Sequence, residues 1–503
     1  MTRLSRRAAL KGAASFAAFA PFTAACAPGS VTRASPMDAA STSGPAFVDG
    51  VRMAELIANG DMTALEAVDA AISRAESVEP QINAIANETF ATARETAEAS
   101  PEGVFAGVPS FTKDLMDRKG EPTLYGSRGF EGYVAPADAP FAAAWRNAGI
   151  VSLGKSTSPE MGLISSTEPV VTGATRNPWD VSRTPGGSSG GAAALAAARV
   201  VPFAHASDGG GSIRIPASCC GLFGLKPSSG LMAGNGRGDS PVDISVDHAV
   251  TWTVRDSAAL LAMAQRPDSD LGPVETVRGP STRRLKIAVA PDSGTGSPVD
   301  PSVRAGVEAS AQLCRDLGHQ VVDFSLPFDG AQFVDDFLLY WAAGAAAFAQ
   351  QASEMSGKPI GPEILETWTL GLAASYQARA DDMPAAIGRL QAFKAEYEAM
   401  FEGFDVLLSP TLGRPPVPIG EQDPQGDFGA VMDSVLSFAA FTAPMNVAGA
   451  ASMSVPLHWT DDDLPVGIMF SGKRGDDALL LSLAYELEAA KPWIGRVPAV
   501  SAS

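Results

Sequence analysis

The sequence predicts an α/β fold, in which helices and strands alternate to build a sheet, and two stretches carry that prediction. Phe141 to Ala148 reads as a helix and is followed after a turn by an apolar strand candidate, Gly149-Ile150-Val151-Ser152-Leu153-Gly154-Lys155. Further on, a strand from Leu285 to Ala290, an amphipathic helix from Val303 to Leu317 and a strand from Gln320 to Phe324 give the order that builds parallel pairing. With 503 residues and 46% hydrophobic composition the chain can bury a large core. Length alone allows about three domains.

Taken from the N-terminus, the chain opens on Ser5-Arg6-Arg7-Ala8-Ala9-Leu10-Lys11, a twin-arginine export pattern, followed by an alanine-rich apolar run from Gly12 to Ala25. Spanning a bilayer takes ~20 apolar residues, so this shorter run reads as a signal peptide over residues 1–25. Thr23-Ala24-Ala25-Cys26 has the layout of a lipobox, in which Cys26 becomes an acylated first residue; ordinary cleavage near Ala27 or beyond is the alternative. Residues 26–45, rich in Ser, Thr, Ala and Pro, read as a flexible tether. The expectation is an exported protein, periplasmic or held to a membrane by lipid.

Residues 46–495 read as the folded domain. Apolar residues recur at helical spacing from Val51 to Val78, Thr63-Ala64-Leu65-Glu66 forms a capping box, and Phe90 to Ala99 continues as helix. Gly103 to Asp114 reads as a buried strand ending in the charge pair Lys113-Asp114. A lysine on a loop is ordinarily a solvated cation, but a buried one is driven toward its neutral form and can then accept a proton. Ser158-Pro159-Glu160-Met161-Gly162 follows the next strand, and Asn177-Pro178-Trp179-Asp180 is a turn. Thr251-Trp252-Thr253-Val254-Arg255-Asp256 opens a helix to Met263, and Phe328 to Phe401 is helical and rich in aromatics and alanine. Phe404 to Thr411 returns to the sheet, Asp477 to Ala490 is a closing helix, and residues 496–503 form a tail.

The centre of the chain is Arg183 to Pro227, RTPGGSSGGAAALAAARVVPFAHASDGGGSIRIPASCCGLFGLKP. It holds two glycine-framed serine sites, Ser188-Ser189 and Ser212, separated by a small-residue helix and a short apolar strand. Runs of glycine let successive backbone N–H groups converge on one point, as stabilising an oxyanion requires. At these residues the sequence resembles the amidase signature family of serine hydrolases, over roughly Ala46 to Trp493. The resemblance implies one large domain with a large mixed β-sheet flanked by helices on both faces. It further implies a Ser-Ser-Lys triad, with Ser212 as nucleophile, Ser188 as bridging serine and Lys113 as base, and an oxyanion site from Gly209, Gly210, Gly211 and Ser212. Ser189, Asp208 and Arg214 would fix the loops, and Met161 would face the substrate. The segment from Ala204 to Ser228 looks closest to hydrolases of the cyclic dimer of 6-aminohexanoate.

Composition narrows the partners. Net charge is −19, and removing the signal with its four basic groups leaves about −23, a surface that nucleic acid and anionic lipid repel. A small-molecule amide fits better, and the resemblance implies no metal or organic cofactor. The adjacent Cys219 and Cys220, and Cys314 on its helix, read as small buried thiols. Three other readings use the same letters. Gly187-Ser188-Ser189-Gly190-Gly191 matches a nucleophile elbow, yet no strand precedes it, and neither His319 nor His458 is marked as its partner. Ser110-Phe111-Thr112-Lys113 matches S-x-x-K without the companion motifs of β-lactamases. The glycine clusters lack the G-K-[ST] that a phosphate loop needs. An exported, acidic, non-catalytic solute-binding protein on the same scaffold is the remaining alternative.

Overall fold

Gly190–Ala197, GGAAALAA, is an α-helix whose every residue is buried, as a helix apolar on all sides must be. In the computed structural model, which describes residues 48–234 and 240–502, this helix packs against strands of both sheets of the fold. The smaller sheet contains β1 (Ile85–Glu88), β2 (Pro109–Lys113) and β3 (Val151–Ser156), in the order β1-β3-β2. The larger contains β4 (Phe203–Asp208), β5 (Phe223–Lys226), β6 (Val246–Thr251), β7 (Lys286–Val289), β8 (Gln320–Asp323), β9 (Val406–Pro410), β10 (Ser452–Trp459) and β11 (Pro465–Ser471). Its order is β4-β6-β5-β10-β11-β9-β7-β8. Pairing is antiparallel from β4 as far as β9, then parallel through β7 to β8. The expected α/β class and large mixed sheet are therefore present, and from Val48 onward the chain forms one compact unit.

The placement that matters for the site is where the two sheets meet. β2 ends the small sheet and β4 ends the large one, and the two edge strands lie side by side without a backbone ladder. Side chains close the gap. Ser110 Oγ donates to the Phe203 carbonyl at 2.9 Å, and the Lys113 backbone N–H donates to His205 Nδ1 at 3.2 Å. Buried backbone groups must be paired, so these bonds do what a ladder would otherwise do, and they draw Lys113 to the end of β4.

Local signals were mostly sufficient. Thr63 caps the Ala64–Ile82 helix with both capping-box hydrogen bonds formed, and Thr253 caps Val254–Met263. Three expectations change. The strand expected from Gly103 begins only at Pro109, because Gly103 and Gly107 take φ of +136° and +82°. There Phe105 and Gly107 bond instead to Ala148 and Gly149. The long helical stretch after Phe328 is three α-helices, Gly330–Ser356, Thr367–Arg379 and Met383–Ala399; the first stops at Gly357 in the left-handed region. The segment expected as a tail is tied down, with Val500 and Ala502 donating to Pro178 and Ala198. Cys219, Cys220 and Cys314 are buried free thiols. The signal peptide, Cys26 and the tether lie outside the described residues, among which no helix is long and apolar enough to cross a membrane.

The central helix supplies a test in which propensity and packing oppose each other. A Cβ on Gly191 would stand 2.3 Å from Thr157 Oγ1 and 2.4 Å from Thr157 N. Alanine ordinarily stabilises a helix by about 1 kcal/mol over glycine. Here Gly191→Ala is expected to cost about 1–3 kcal/mol, the usual penalty of overpacking, read as a lower denaturation midpoint with unchanged m-value.

Candidate active site

β4 delivers the chain into the site. It ends at Asp208, and Gly209, Gly210, Gly211 and Ser212 follow before the Arg214–Cys220 helix. Asp208, fully buried, is held in a two-pronged pair by Arg214 Nε and Nη2, both at 3.0 Å, and also accepts from Asn446 Nδ2 at 2.8 Å. Burial by itself opposes its ionisation. The charge and hydrogen bonds of Arg214, then Lys226 and Asn446, outweigh burial and hold the carboxyl well below the usual range. The ionised carboxylate gathers the loop by accepting from the backbone N–H of Gly211 at 2.7 Å and of Ile213 at 3.2 Å. Gly211 has φ +135°, and a Cβ there would sit 2.4 Å from Thr442 Oγ1, so only glycine fits this turn.

That carboxylate corrects one sequence expectation. The N–H of Gly211 is already bonded to Asp208, so it does not face an incoming carbonyl oxygen. The N–H groups of Gly209, Gly210 and Ser212 have no acceptor among the described residues. Gly210 and Ser212 both line the adjoining cavity, and Ser212 is 7% exposed.

The amine approaches from the other sheet edge. Lys113 is fully buried, and its Nζ lies 2.7 Å from Ser188 Oγ and 3.1 Å from Ser207 Oγ. Burial pushes the ammonium down to about 7, with Asp247 and Asp208 pulling the other way. Ser188 follows a cis peptide after Gly187, and Ser189 bonds on both sides to the Ser207 backbone, at 3.3 Å and 3.4 Å. Ser189 thus ties the first serine loop to β4.

A cavity of roughly 470 Å³ opens at this point. One wall is an aromatic stack on the Gly330–Ser356 helix. Phe333, Phe337 and Trp341 recur at four-residue spacing, with ring centres 6.1 Å and 5.6 Å apart. Trp341 and Trp368 both donate their indole N–H to the Leu163 carbonyl at 3.1 Å, which fixes the facing wall, Gly162 to Ser165. Of the SPEMG segment it is Gly162, not Met161, that lines the cavity. Met161 is buried in the core with Phe130 and Leu163. Gly162 has φ +72°, and a Cβ there would lie 2.9 Å from Ser188 Oγ.

The rival readings find no geometry. Ser110 is turned to the Phe203 carbonyl, and His319 bonds to Leu285 on β7's approach. Among the described residues no group of three or more His, Cys, Asp or Glu is placed to hold a metal ion. Residues that sequence reasoning passed over are His205, Ser207 and Asp247. A signal for the first two existed, because they are alternate polar positions on an otherwise small and apolar strand, FAHASD.

Comparison with known proteins identifies the family. The family model described as Amidase matches residues 66–481. AmiC of Mycobacterium tuberculosis, which carries an amidase name, is 41% identical over 451 residues, covering 89% of this chain and 95% of its own. The 6-aminohexanoate-cyclic-dimer hydrolase of Paenarthrobacter ureafaciens is 33% identical over 479 residues, covering 90% and 96%. A solved structure of 6-aminohexanoate cyclic dimer hydrolase superposes with a TM-score of 0.84 at 31% identity, covering 90% of this chain and 99% of that one. With a buried lysine on a serine, a glycine-rich turn at a second serine and matches across nearly all the described chain, the protein belongs to the amidase signature family of amide-hydrolysing enzymes.

Proposed function

We propose that the protein hydrolyses the C–N bond of a small, uncharged carboxamide through an acyl-enzyme on Ser212. The observation that carries this reading is the contact of 2.7 Å between a fully buried Lys113 amine and Ser188 Oγ, beside a cavity that Ser212 lines. In the neutral form Lys113 Nζ accepts the Ser188 hydroxyl proton while Ser188 takes that of Ser212. The Ser212 oxygen then adds to the carbonyl carbon. The N–H groups of Gly209, Gly210 and Ser212 would receive the oxyanion; losing one such donor typically costs about 10²–10³ in rate. Collapse breaks the C–N bond as Ser188 returns a proton to the leaving nitrogen. Water then attacks the acyl-Ser212 ester by the same relay and releases the acid.

The cavity supports an apolar acyl or amine group. Its walls are mainly aromatic and aliphatic, and among the described residues the one charged lining side chain, Asp335, is paired with Arg379 at 2.7 Å. Cyclic amides of the 6-aminohexanoate type are the subgroup suggested by the relatives named for that substrate. Residues 1–25 and Cys26 further support export by the twin-arginine route and a lipid anchor facing away from the cytoplasm. A binding protein without turnover is the weaker reading, since binding alone has no use for a neutral lysine on a serine.

Four outcomes are expected. Parent protein releases amine or ammonia from a panel of linear and cyclic amides, and Ser212→Ala loses at least about 10³ of that rate; equal rates in the two would remove the nucleophile. Because Lys113 must be uncharged, kcat/KM should rise about tenfold per pH unit below about 7 and level off above it. The same lowered value costs stability. Between about 7 and 10.5 the unfolded chain holds a proton that the folded chain does not, so stability from this group rises with pH across that window. Below about 7 the full penalty stands. Lys113→Met is therefore expected to abolish turnover yet raise the melting temperature at pH 7 by several degrees; a lower melting point would contradict the assigned burial cost. Intact mass of membrane-associated protein should give a first residue Cys26 carrying lipid, and an unmodified start further along would rule the anchor out.

A further inference from the structure

The pairing of the two sheet edges leaves a second device at Lys113. Among the described residues β2 has a strand neighbour on one side only, so the Lys113 backbone N–H points toward β4 with no carbonyl there to meet it. His205 Nδ1 accepts that N–H at 3.2 Å. An imidazole nitrogen that accepts carries no proton, so the ring proton sits on Nε2, which faces Asp247 Oδ1 at 3.2 Å. The ring is 1% exposed and walled by Phe141 and Trp145 at 5.3 Å and 5.7 Å. Burial, set against the pull of Asp247, holds it below its ordinary value and hence neutral. β4 and β6 pair with Ser207 directly opposite Asp247, so His205, Ser207 and Asp247 share one face of the large sheet, the face that meets Lys113.

We propose that Asp247 and His205 are positioning residues for the base: His205 fixes the Lys113 backbone, and the Asp247 charge sets the pH below which the amine can no longer accept a proton. This rests on the reading of Lys113 as the base. The titratable groups around Lys113 are Asp208 and His205 on β4, Asp247 on β6, Lys155 on β3 and Asp114, next in the chain. Asp208 is committed to Arg214 and Asn446, and Asp114 accepts from the backbone of Leu124 and Gly126. Lys155 donates to the Met116 carbonyl and lies 3.9 Å from Glu121. The helices that pack on β2, Ala64–Ile82 and Gly190–Ala197, present alanine, valine and isoleucine. Asp247 is thus the anion whose removal changes the field at Lys113 without dismantling the nucleophile loop. Its side chain is 21% exposed, so its influence is screened in part.

The test uses full-length protein and two readouts, kcat/KM on an amide and the rate of Ser212 inactivation by phenylmethanesulfonyl fluoride, each across pH. Asp247→Asn withdraws a negative charge that favours the ammonium, so its acid limb should move to lower pH by about half to one unit. His205→Asn keeps a carbonyl oxygen near the place of Nδ1 and should stay within a few-fold of parent at the plateau, whereas His205→Leu, which orphans the Lys113 N–H, should lose roughly tenfold or more. A limb that does not move in Asp247→Asn, or equal plateau rates in His205→Leu and His205→Asn, overturns the proposal. Should His205→Leu fail to fold, the Asp247→Asn limb and the His205→Asn plateau still decide. Failure of the amidase reading is separable: a parent that turns over no amide refutes it, while the inactivation profile continues to report on Lys113.

Discussion

Keeping one amine out of water is the constraint on which the rest of the structure depends. A lysine in solvent is an ammonium at neutral pH and cannot act as a base, and the only means the fold has of changing that is to withhold hydration. Lys113 meets no solvent because it stands at the seam of two sheets, under a helix that is buried on all sides. The seam needs small residues, which explains why GGAAALAA carries nothing larger than one leucine. It also needs side chains in place of a ladder, supplied by Ser110 and His205. Fold and chemistry are coupled through this packing: what closes the seam also neutralises the amine.

A buried ion pair rarely adds net stability, since desolvating both charges offsets most of their attraction. Asp208 and Arg214 are better understood through the atoms they organise. The carboxylate takes N–H groups from the turn after β4, while Arg214 and Asn446 fill its remaining lone pairs. Asn446 also reaches the Asp208 and Ile244 carbonyls. A glycine-rich loop has much conformational freedom to lose, and this anchor removes it before any substrate arrives. The consequence is selective. By holding Gly211 the anchor points that N–H away from the cavity and leaves Gly209, Gly210 and Ser212 with N–H groups that no acceptor among the described residues takes.

Much of this was legible in the residues. The helix–turn–strand order, the capping box at Thr63 and the two glycine-framed serines are local patterns, and local patterns survive into the fold. What could not be read was contact between distant segments. Nothing near Gly211 in the chain says that its N–H is taken by Asp208, because a carboxylate three residues back can equally face solvent. His205 looked like any buried histidine until β2 was placed beside β4. The resemblance points to Met161 in the SPEMG segment, yet Met161 packs into the core and Gly162 lines the cavity. The geometry favours the glycine, since a Cβ there would collide with Ser188.

The same division explains why chemistry is easier to infer from this sequence than substrate. Lys113 and Ser207 sit on the two sheet edges, Ser212 on the turn after β4 and Ser188 on the loop that opens the Gly190–Ala197 helix, and the distances among such groups tolerate little change. The cavity wall is built elsewhere, from Phe333, Phe337 and Trp341 on one helix, Trp368 on the next and Tyr397 and Met400 beyond. Apolar walls are judged by volume and shape, and one apolar side chain can replace another at small cost to stability. The wall can therefore be rebuilt without disturbing the buried amine. Trp341 and Trp368 tie this wall to the Gly162–Ser165 segment through the Leu163 carbonyl they share. Relatives on one scaffold can thus keep the serines and lysine while accepting different amides, and a specificity change would be sought first along the Phe333, Phe337 and Trp341 stack.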